Sequence, residues 1–149
     1  MSLERMFNLM AEKQASDLFF SVGSPITIKI NGVCVPINQD RLAPQAIVSL
    51  LAERLTDAHF RELEDSRELN IGLPVQGIGS FRLSAFLQRG SISAVIRFIP
   101  HDVPKLDALH LPEVLKDLVM ERRGMILVVG AAGSGKSTTI ASMLDHRNE

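Results

Sequence analysis

The second part of this chain contains the run Gly130-Ala131-Ala132-Gly133-Ser134-Gly135-Lys136-Ser137. It fits the pattern G-x-x-x-x-G-K-[ST] in full, and Thr138 follows directly. Glycines let the backbone curl so that several N–H groups point at one anion, and a helix that begins near Lys136 adds its positive dipole end. Lys136 can reach the β and γ phosphates, while the Ser137 hydroxyl can join the oxygen shell of Mg²⁺. These residues therefore predict a loop that binds the phosphates of ATP with Mg²⁺.

The flanks of this loop have the pattern that the loop requires. Met125 to Val129 is continuously apolar and branched, which predicts a strand buried on both faces. A helix is expected from about Lys136 to the end of the chain. Another helix is expected to open at Leu111-Pro112-Glu113 and to end at Arg122-Arg123-Gly124. Because the glycine-rich segment lies between a strand and a helix, a chance match of the pattern is the weaker interpretation.

Residues 1–99 predict a separate small domain. Leu3, Met6, Phe7 and Met10 recur at helical spacing behind Ser2 as a cap, and Asn31-Gly32 between alternating runs signals a hairpin. Further along, Pro44 and Thr56 each suit the start of a helix, and three strands follow. The order helix, three strands, two helices, three strands predicts an α+β domain on a mainly antiparallel sheet. Prolines mark residues 100–112 as a linker, and residues 113–149 begin a second domain.

The last hairpin of the first domain pairs two arginines. If Arg89-Gly90 is a two-residue turn, Phe81 faces Phe98, Leu83 faces Ile96, Ala85 faces Ala94 and Leu87 faces Ile92, which makes one apolar face. Arg82 then lies opposite Arg97 on the other face. Facing like charges are unfavourable unless an anion answers them. A carboxylate such as that of Glu68 and a nucleotide phosphate both fit this role, and a three-residue loop would shift the register.

Composition excludes several other classes of function. Lys and Arg number 16 against 17 Asp and Glu, so no basic field exists for nucleic acid. The apolar runs are shorter than the ~20 residues of a membrane helix, and no secretion signal is visible, so a soluble cytoplasmic protein is expected. Cys34 is the only cysteine and is expected to fill core space. Met6, Met10, Met120, Met125 and Met143 are expected in the core as well.

Several segments together resemble the type IV pilus retraction ATPases of the PilT/PilU group, and the resemblance covers essentially the whole chain. The segments that carry it are Leu9 to Lys13, Ser16 to Phe19, Asn31-Gly32, Gly77 to Arg82, Ser84 to Arg89, Leu111 to Lys116, Arg123-Gly124 and the phosphate loop through Asn148. The resemblance implies a PAS-like α+β N-terminal domain followed by the truncated start of an α/β RecA-like P-loop NTPase domain. It also implies that nucleotide sits between the two domains and that Arg82 and Arg97 approach its terminal phosphate.

The resemblance further implies a homo-hexameric motor that hydrolyses ATP to retract pili. It implies that the motor acts at the cytoplasmic face of the inner membrane, where it contacts a pilus platform protein. It also implies that the motor works with or without a paralogous retraction ATPase. Because no acidic strand follows Lys136 and Ser137 within these 149 residues, the chain alone is expected to be inactive and residues 125–149 poorly stabilised. Two alternatives stay open: a non-catalytic nucleotide-binding scaffold subunit of the motor, and a related secretion or pilus-assembly ATPase.

Overall fold

A computed structural model describes residues 2–100, 102–131 and 133–149 of the chain. The chain divides into two compact units, residues 1–101 and residues 102–149. The first unit has nine elements in chain order: α1 (Leu3–Glu12), β1 (Asp17–Phe20), β2 (Thr27–Ile30), β3 (Val33–Pro36), α2 (Pro44–Leu51), α3 (Asp57–Ser66), β4 (Glu68–Val75), β5 (Gly79–Gln88) and β6 (Ser91–Pro100). The second has a 3-10 turn (Leu106–Leu109), α4 (Val114–Met120) and α5 (Lys136–Asn148). The predicted element order of residues 1–99 is confirmed.

The first unit is built on one six-stranded sheet with the strand order β3-β2-β1-β6-β5-β4. Every pairing in it is antiparallel. Apolar side chains of α1, α2 and α3 pack against one face of this sheet and form the core. The opposite face, called the outer face below, carries the polar side chains of β1, β2, β5 and β6, including both arginines of the last hairpin. The fold is thus the α+β class that the sequence predicts.

Helix α1 seals the middle of the core. The hydroxyl of Ser2 accepts from the backbone N–H of Arg5, so the predicted cap is in place. The ring of Phe7 stacks on that of Phe81 in β5, with centroids 4.1 Å apart and an interplanar angle of 18°. Both side chains are fully buried. The helix therefore fixes the centre of β5 by contact between aromatic rings.

The register of the β5–β6 hairpin is the predicted one. Arg89 and Gly90 form its turn with φ angles of 51° and 77°, which suits the twist of a two-residue hairpin. Phe81 lies opposite Phe98, and Arg82 lies opposite Arg97. The three-residue loop that would shift the register does not form. The two guanidinium groups therefore start from neighbouring positions on the outer face.

The expected core position of Cys34 is wrong. Its side chain is exposed, and so is every residue of β3. The strand lies at the edge of the sheet and pairs only with β2, where Cys34 faces Lys29. The helices cover the inner strands of the sheet and form the core with them. On an edge strand, an alternating apolar pattern therefore does not mean that the apolar side chains are buried. The apolar alternation was a correct sign of a strand and an incorrect sign of depth.

The second unit begins inside the predicted linker. Leu106 lies in a small core with Val119 and Met143, so the segment after residue 101 packs with the helices that follow it. Helix α4 ends at Met120, before the expected Arg122-Arg123-Gly124. Residues 100–112 are thus divided between the two units, so they do not form a linker over their whole length.

The buried strand expected at Met125–Val129 does not form. The segment has no regular secondary structure, and the exposed fractions are 81% for Met125, 73% for Leu127 and 84% for Val129. Met120 is also exposed, whereas Met143 is buried as expected. A parallel strand gains its stability from neighbouring strands on both sides, and the described residues of this unit contain no other strand. This apolar run therefore stays exposed, without regular secondary structure.

This difference in packing predicts a difference in hydrogen exchange. The backbone amides of Ile126 to Val129 are expected to exchange with solvent much faster than those of Leu83 to Leu87. The first group has no hydrogen-bonded neighbour strand, while β5 is paired on both sides. Exchange measured by mass spectrometry on the monomeric 149-residue chain checks this. Equal protection of the two segments would contradict the prediction.

Candidate functional site

The glycine-rich loop folds back on itself and ends at a helix. The ammonium group of Lys136 donates to the carbonyl oxygen of Ala131 at 2.6 Å, and the N–H of Ser134 donates to the same oxygen at 3.3 Å. A Cβ atom placed on Gly130 would lie 2.6 Å from the Ser134 hydroxyl, closer than real Cβ atoms come to another atom. A larger residue at this position would therefore have to displace the Ser134 hydroxyl.

Helix α5 begins at Lys136, as the sequence predicts. Gly135 precedes it with a φ of 89°, a backbone conformation that glycine adopts without strain. The N–H of Thr139 donates to the carbonyl of Gly135 at 2.8 Å, and the first turn contains no acidic residue. The helix thus presents its positive end, with the exposed Ser137 and Thr138 beside it and no negative side chain to cancel it.

The predicted loop residues lie together as one short segment. Of the residues predicted from the sequence, Ala132 lies outside the described residues. The structure describes the others, which are Gly130, Ala131, Gly133, Ser134, Gly135, Lys136, Ser137 and Thr138. Among the residues that the structure describes, no carboxylate lies within 4.0 Å of the Lys136 ammonium. No group of three or more His, Cys, Asp or Glu side chains in that part of the chain could hold a metal ion.

Contacts within the second unit hold α5 in place. The hydroxyl of Ser142, which is fully buried, donates to the carbonyl of Pro104 at 2.7 Å or to that of Thr138 at 2.9 Å. Hydrogen bonds to the carboxylates of Glu149 and then Asp145 raise the pKa of Lys105. These contacts tie the segment before the 3-10 turn to the helix that carries Lys136. The loop therefore has a fixed support on its helical side.

Two more ionic contacts hold α4 in the same unit. The guanidinium of Arg147 donates to the carbonyl of Glu121 at 3.0 Å and also to that of Val119, at the end of α4. The ammonium of Lys116 pairs with Asp107, and this hydrogen bond lowers the pKa of the carboxyl. The cation at the carboxyl end of a helix is also favoured by the helix dipole. None of these contacts was predicted from the sequence, because they join different elements and leave no local pattern.

The two arginines of the last hairpin line one shallow depression on the outer face of the first unit. Arg82, Ser84, Val95 and Arg97 surround a space of about 210 Å³. Arg97 donates through Nε to Oδ1 of Asp17 at 2.9 Å. Glu68, the carboxylate considered from the sequence, instead lies opposite Phe86. The depression thus contains two guanidinium groups, one of which has an acidic partner.

Asp17 is a buried acid whose contact the sequence did not reveal. It is the first residue of β1 and is only 6% exposed. It lies directly opposite Arg97, because β1 pairs with β6. The two positions are 80 residues apart, so no local pattern could indicate the contact.

No helix in the described part of the chain is long and apolar enough to cross a membrane. The whole chain, residues 1–149, matches the family model described as type II/IV secretion system protein. It is 38% identical over 149 residues to the type IV pilus ATPase PilU of Pseudomonas aeruginosa, covering 100% of this chain and 39% of that protein. It is 35% identical over 148 residues to the type IV pilus retractation ATPase PilT of the same organism, covering 99% of this chain and 43% of that protein.

A solved structure supports the same relationship. The crystal structure of the pilus retraction motor PilT with bound ADP matches with a TM-score of 0.83 and 34% identity, over 100% of this chain and 44% of that one. The chain thus spans about two fifths of the length of these relatives. The predicted resemblance is confirmed. The chain belongs to the type II/IV secretion system protein family, in which it is similar to the pilus ATPases PilU and PilT.

Proposed function

We propose that this protein binds and hydrolyses ATP as part of a motor that retracts type IV pili. The observation that carries the proposal is the loop before α5, where none of the described carboxylates lies within 4.0 Å of Lys136 and the helix presents its positive end. A solved relative, the retraction motor PilT, is described with bound ADP. The pilus process itself is supported by the similarity to PilU and PilT over the whole chain.

Each residue of the loop has a role in this proposal. The backbone N–H groups from Gly130 to Thr138, those of Ala132 included, would surround the phosphates. Lys136 would neutralise the charge that develops on the terminal phosphoryl group, which makes it the catalytic residue. When Mg²⁺ is bound, it offsets phosphate charge, and the exposed Ser137 hydroxyl would be a protein oxygen that holds it.

Arg82 and Arg97 are proposed to contact the terminal phosphate of the nucleotide. Their side chains line one depression, and guanidinium groups match phosphate oxygens with paired N–H donors. A bound phosphate would also answer the repulsion between two cations that face each other on neighbouring strands. The support for this role is the placement of the two side chains together with the resemblance to retraction motors.

The remaining parts of the proposal concern the assembly. The first unit is proposed to be a PAS-like domain and the second to belong to a RecA-like ATPase domain. The protein is proposed to work as a homo-hexamer, with or without a paralogous retraction ATPase. Its proposed place is the cytoplasmic face of the inner membrane, on a pilus platform protein. The 149 residues alone are proposed to be inactive in ATP hydrolysis, since no group of acidic side chains in their described part could hold the metal ion.

The motor function is tested in the cell and with the protein as the cell makes it. A strain without the gene is expected to keep surface pili but to lose normal retraction, scored by fluorescence imaging of labelled pili. The purified protein is expected to hydrolyse ATP with Mg²⁺ and to stop when EDTA is added, while the 149 residues alone show no turnover.

Two outcomes of this test would favour the alternatives. A retraction defect without any ATP hydrolysis by the purified protein would indicate a scaffold subunit. A strain that makes no pili at all would indicate an assembly or secretion ATPase.

A further inference from the structure

Four charged residues lie side by side across the outer face of the sheet. Lys29 in β2 faces Asp17 in β1, Asp17 faces Arg97 in β6, and Arg97 faces Arg82 in β5. We call this set the charged row. It contains three cations and a single acid. The acid stands next to only one of the two arginines proposed to contact phosphate, so the two arginines are not equivalent.

Both carboxylate oxygens of Asp17 are engaged. Oδ1 accepts from Arg97 Nε at 2.9 Å, and Oδ2 accepts from the Ser16 hydroxyl at 2.9 Å. The backbone of Ser16 is itself held by both neighbours, since its N–H donates to the carbonyl of Lys29 at 2.8 Å and its carbonyl accepts from the N–H of Phe98 at 3.0 Å. Asp17 is therefore a buried carboxylate with a hydrogen-bond donor at each oxygen.

This buried carboxylate leaves part of the Arg97 guanidinium available. Arg97 donates to Asp17 through Nε alone, and its terminal Nη groups make no hydrogen bond within the described residues. Its side chain is 67% exposed, although the carboxylate that holds it is buried. A guanidinium held at one edge presents the donors of its other edge in a defined direction. One edge of the Arg97 guanidinium thus contacts the protein, and the other edge is available to a ligand.

Arg82 has no such support. In the residues that the structure describes, no carboxylate lies within 4.0 Å of it and its side chain makes no hydrogen bond. It shares the depression with Arg97 and Ser84. Arg82 therefore supplies positive charge without a set orientation.

We propose that Asp17, supported by Ser16, is a positioning residue that orients Arg97 toward the terminal phosphate of the nucleotide. The inference rests on the proposed function and extends it, because it assigns different roles to the two arginines. Asp17 holds Nε and reduces the repulsion between Arg97 and Arg82. Arg97 gives directed hydrogen bonds to the phosphate, and Arg82 gives charge.

A lysine cannot replace Arg97 in this arrangement. Lysine has one ammonium group, which would pair with Asp17 and leave nothing aimed at the phosphate, whereas arginine serves both partners at once. At position 82 no second partner has to be served. Arg97→Lys is therefore expected to cause a much larger loss than Arg82→Lys.

The experiment uses the protein as the cell makes it, with ATPγS and ADP as probes, and measures Kd, kcat and KM. Asp17→Asn and Arg97→Lys are each expected to weaken ATPγS binding and to lower kcat by roughly tenfold to a hundredfold. Their ADP affinity is expected to stay within about twofold, since ADP lacks the terminal phosphate. The double variant is expected to be no worse than either single variant, because both remove one oriented group.

The matched control is Glu68→Gln, which changes an exposed carboxylate at the start of neighbouring β4 that has no bond to either arginine. It is expected to leave the Kd for ATPγS, the Kd for ADP, kcat and KM unchanged. Ser16→Ala, which removes the hydroxyl that donates to Oδ2 or, at 3.3 Å, to the carbonyl of Lys29, is expected to cause a smaller loss in the same direction and replaces Asp17→Asn if that variant does not fold. Equal loss of ADP and ATPγS affinity would overturn the proposal, because it would indicate general damage to the domain.

Other results separate this inference from the proposed function. If the wild-type protein binds no ATP, or if Lys136→Ala leaves binding intact, the proposed function itself fails. If Lys136→Ala removes binding while Asp17→Asn changes neither ATPγS affinity nor kcat, only the positioning role of Asp17 fails. A protein in which Arg82→Lys is more harmful than Arg97→Lys would also overturn the assignment of the two arginines.

Discussion

Lys136→Ala is expected to lower the affinity for ATP by roughly tenfold to a hundredfold and to remove turnover in the protein as the cell makes it. Lys136 is the first residue of α5, and its ammonium lies over the loop, 2.6 Å from the carbonyl of Ala131. No carboxylate in the described chain neutralises it. Because it is the one cation within this loop, its loss removes the strongest contact to the terminal phosphates.

Isothermal titration calorimetry with ATPγS and a phosphate-release assay measure this effect. Lys13→Ala is the matched control, since Lys13 follows α1 in the first unit and pairs only with Glu12 at 3.0 Å on the surface. It is expected to bind and hydrolyse ATP as the wild type does. Lys136→Ala with unchanged Kd would refute the phosphate-binding role of the loop.

The same variant separates the motor from the scaffold in the cell. A strain that carries Lys136→Ala should lose retraction if hydrolysis drives the movement. A scaffold subunit would keep its function with this substitution, provided that the variant accumulates to the wild-type level.

Phe81→Ala is expected to destabilise the first unit by about 3–5 kcal/mol. The side chain is fully buried, stacks on Phe7 at 4.1 Å and lies 4.9 Å from Phe98 between ring centroids. Removing the ring leaves a cavity between α1 and the sheet and breaks both aromatic contacts. Because stabilities of small domains are commonly 5–15 kcal/mol, this loss is a large share of the total.

Phe86→Ala is the matched control for this prediction, since it lies in the same strand. Its side chain is 39% exposed and points to the outer face, where truncation leaves no closed cavity. Its cost is expected to be less than about half that of Phe81→Ala. Urea unfolding followed by circular dichroism gives both values, and similar losses for the two variants would show that the core is not where the structure has it.

The features predicted correctly from sequence all depend on residues close together along the chain. The glycine-rich loop and the start of α5 follow from one run of residues, because backbone freedom and helix polarity are local properties. The β5–β6 register follows from the Arg89-Gly90 turn and the alternation on either side of it. In each of these cases the partners of a residue are set by the residues next to it.

The errors have a different origin. Cys34 alternates like a core residue yet is exposed, because depth depends on which strands the helices cover. Met125 to Val129 has the sequence pattern of a buried strand, yet it pairs with no strand in the described chain. A strand of this kind forms only where neighbouring strands can pair with it. Local pattern indicates what a segment could form, and only its surroundings decide whether it does.

The start of α5 after its glycine-rich segment, the α+β pattern of the first unit and the pairing of Arg82 with Arg97 all follow from sequence, since each arises from local backbone preference and hairpin geometry. Only the folded sheet shows that β1 lies beside β6, which places Asp17 against Arg97. A contact across 80 residues depends on the order of strands in the sheet, and that order results from packing of the whole core.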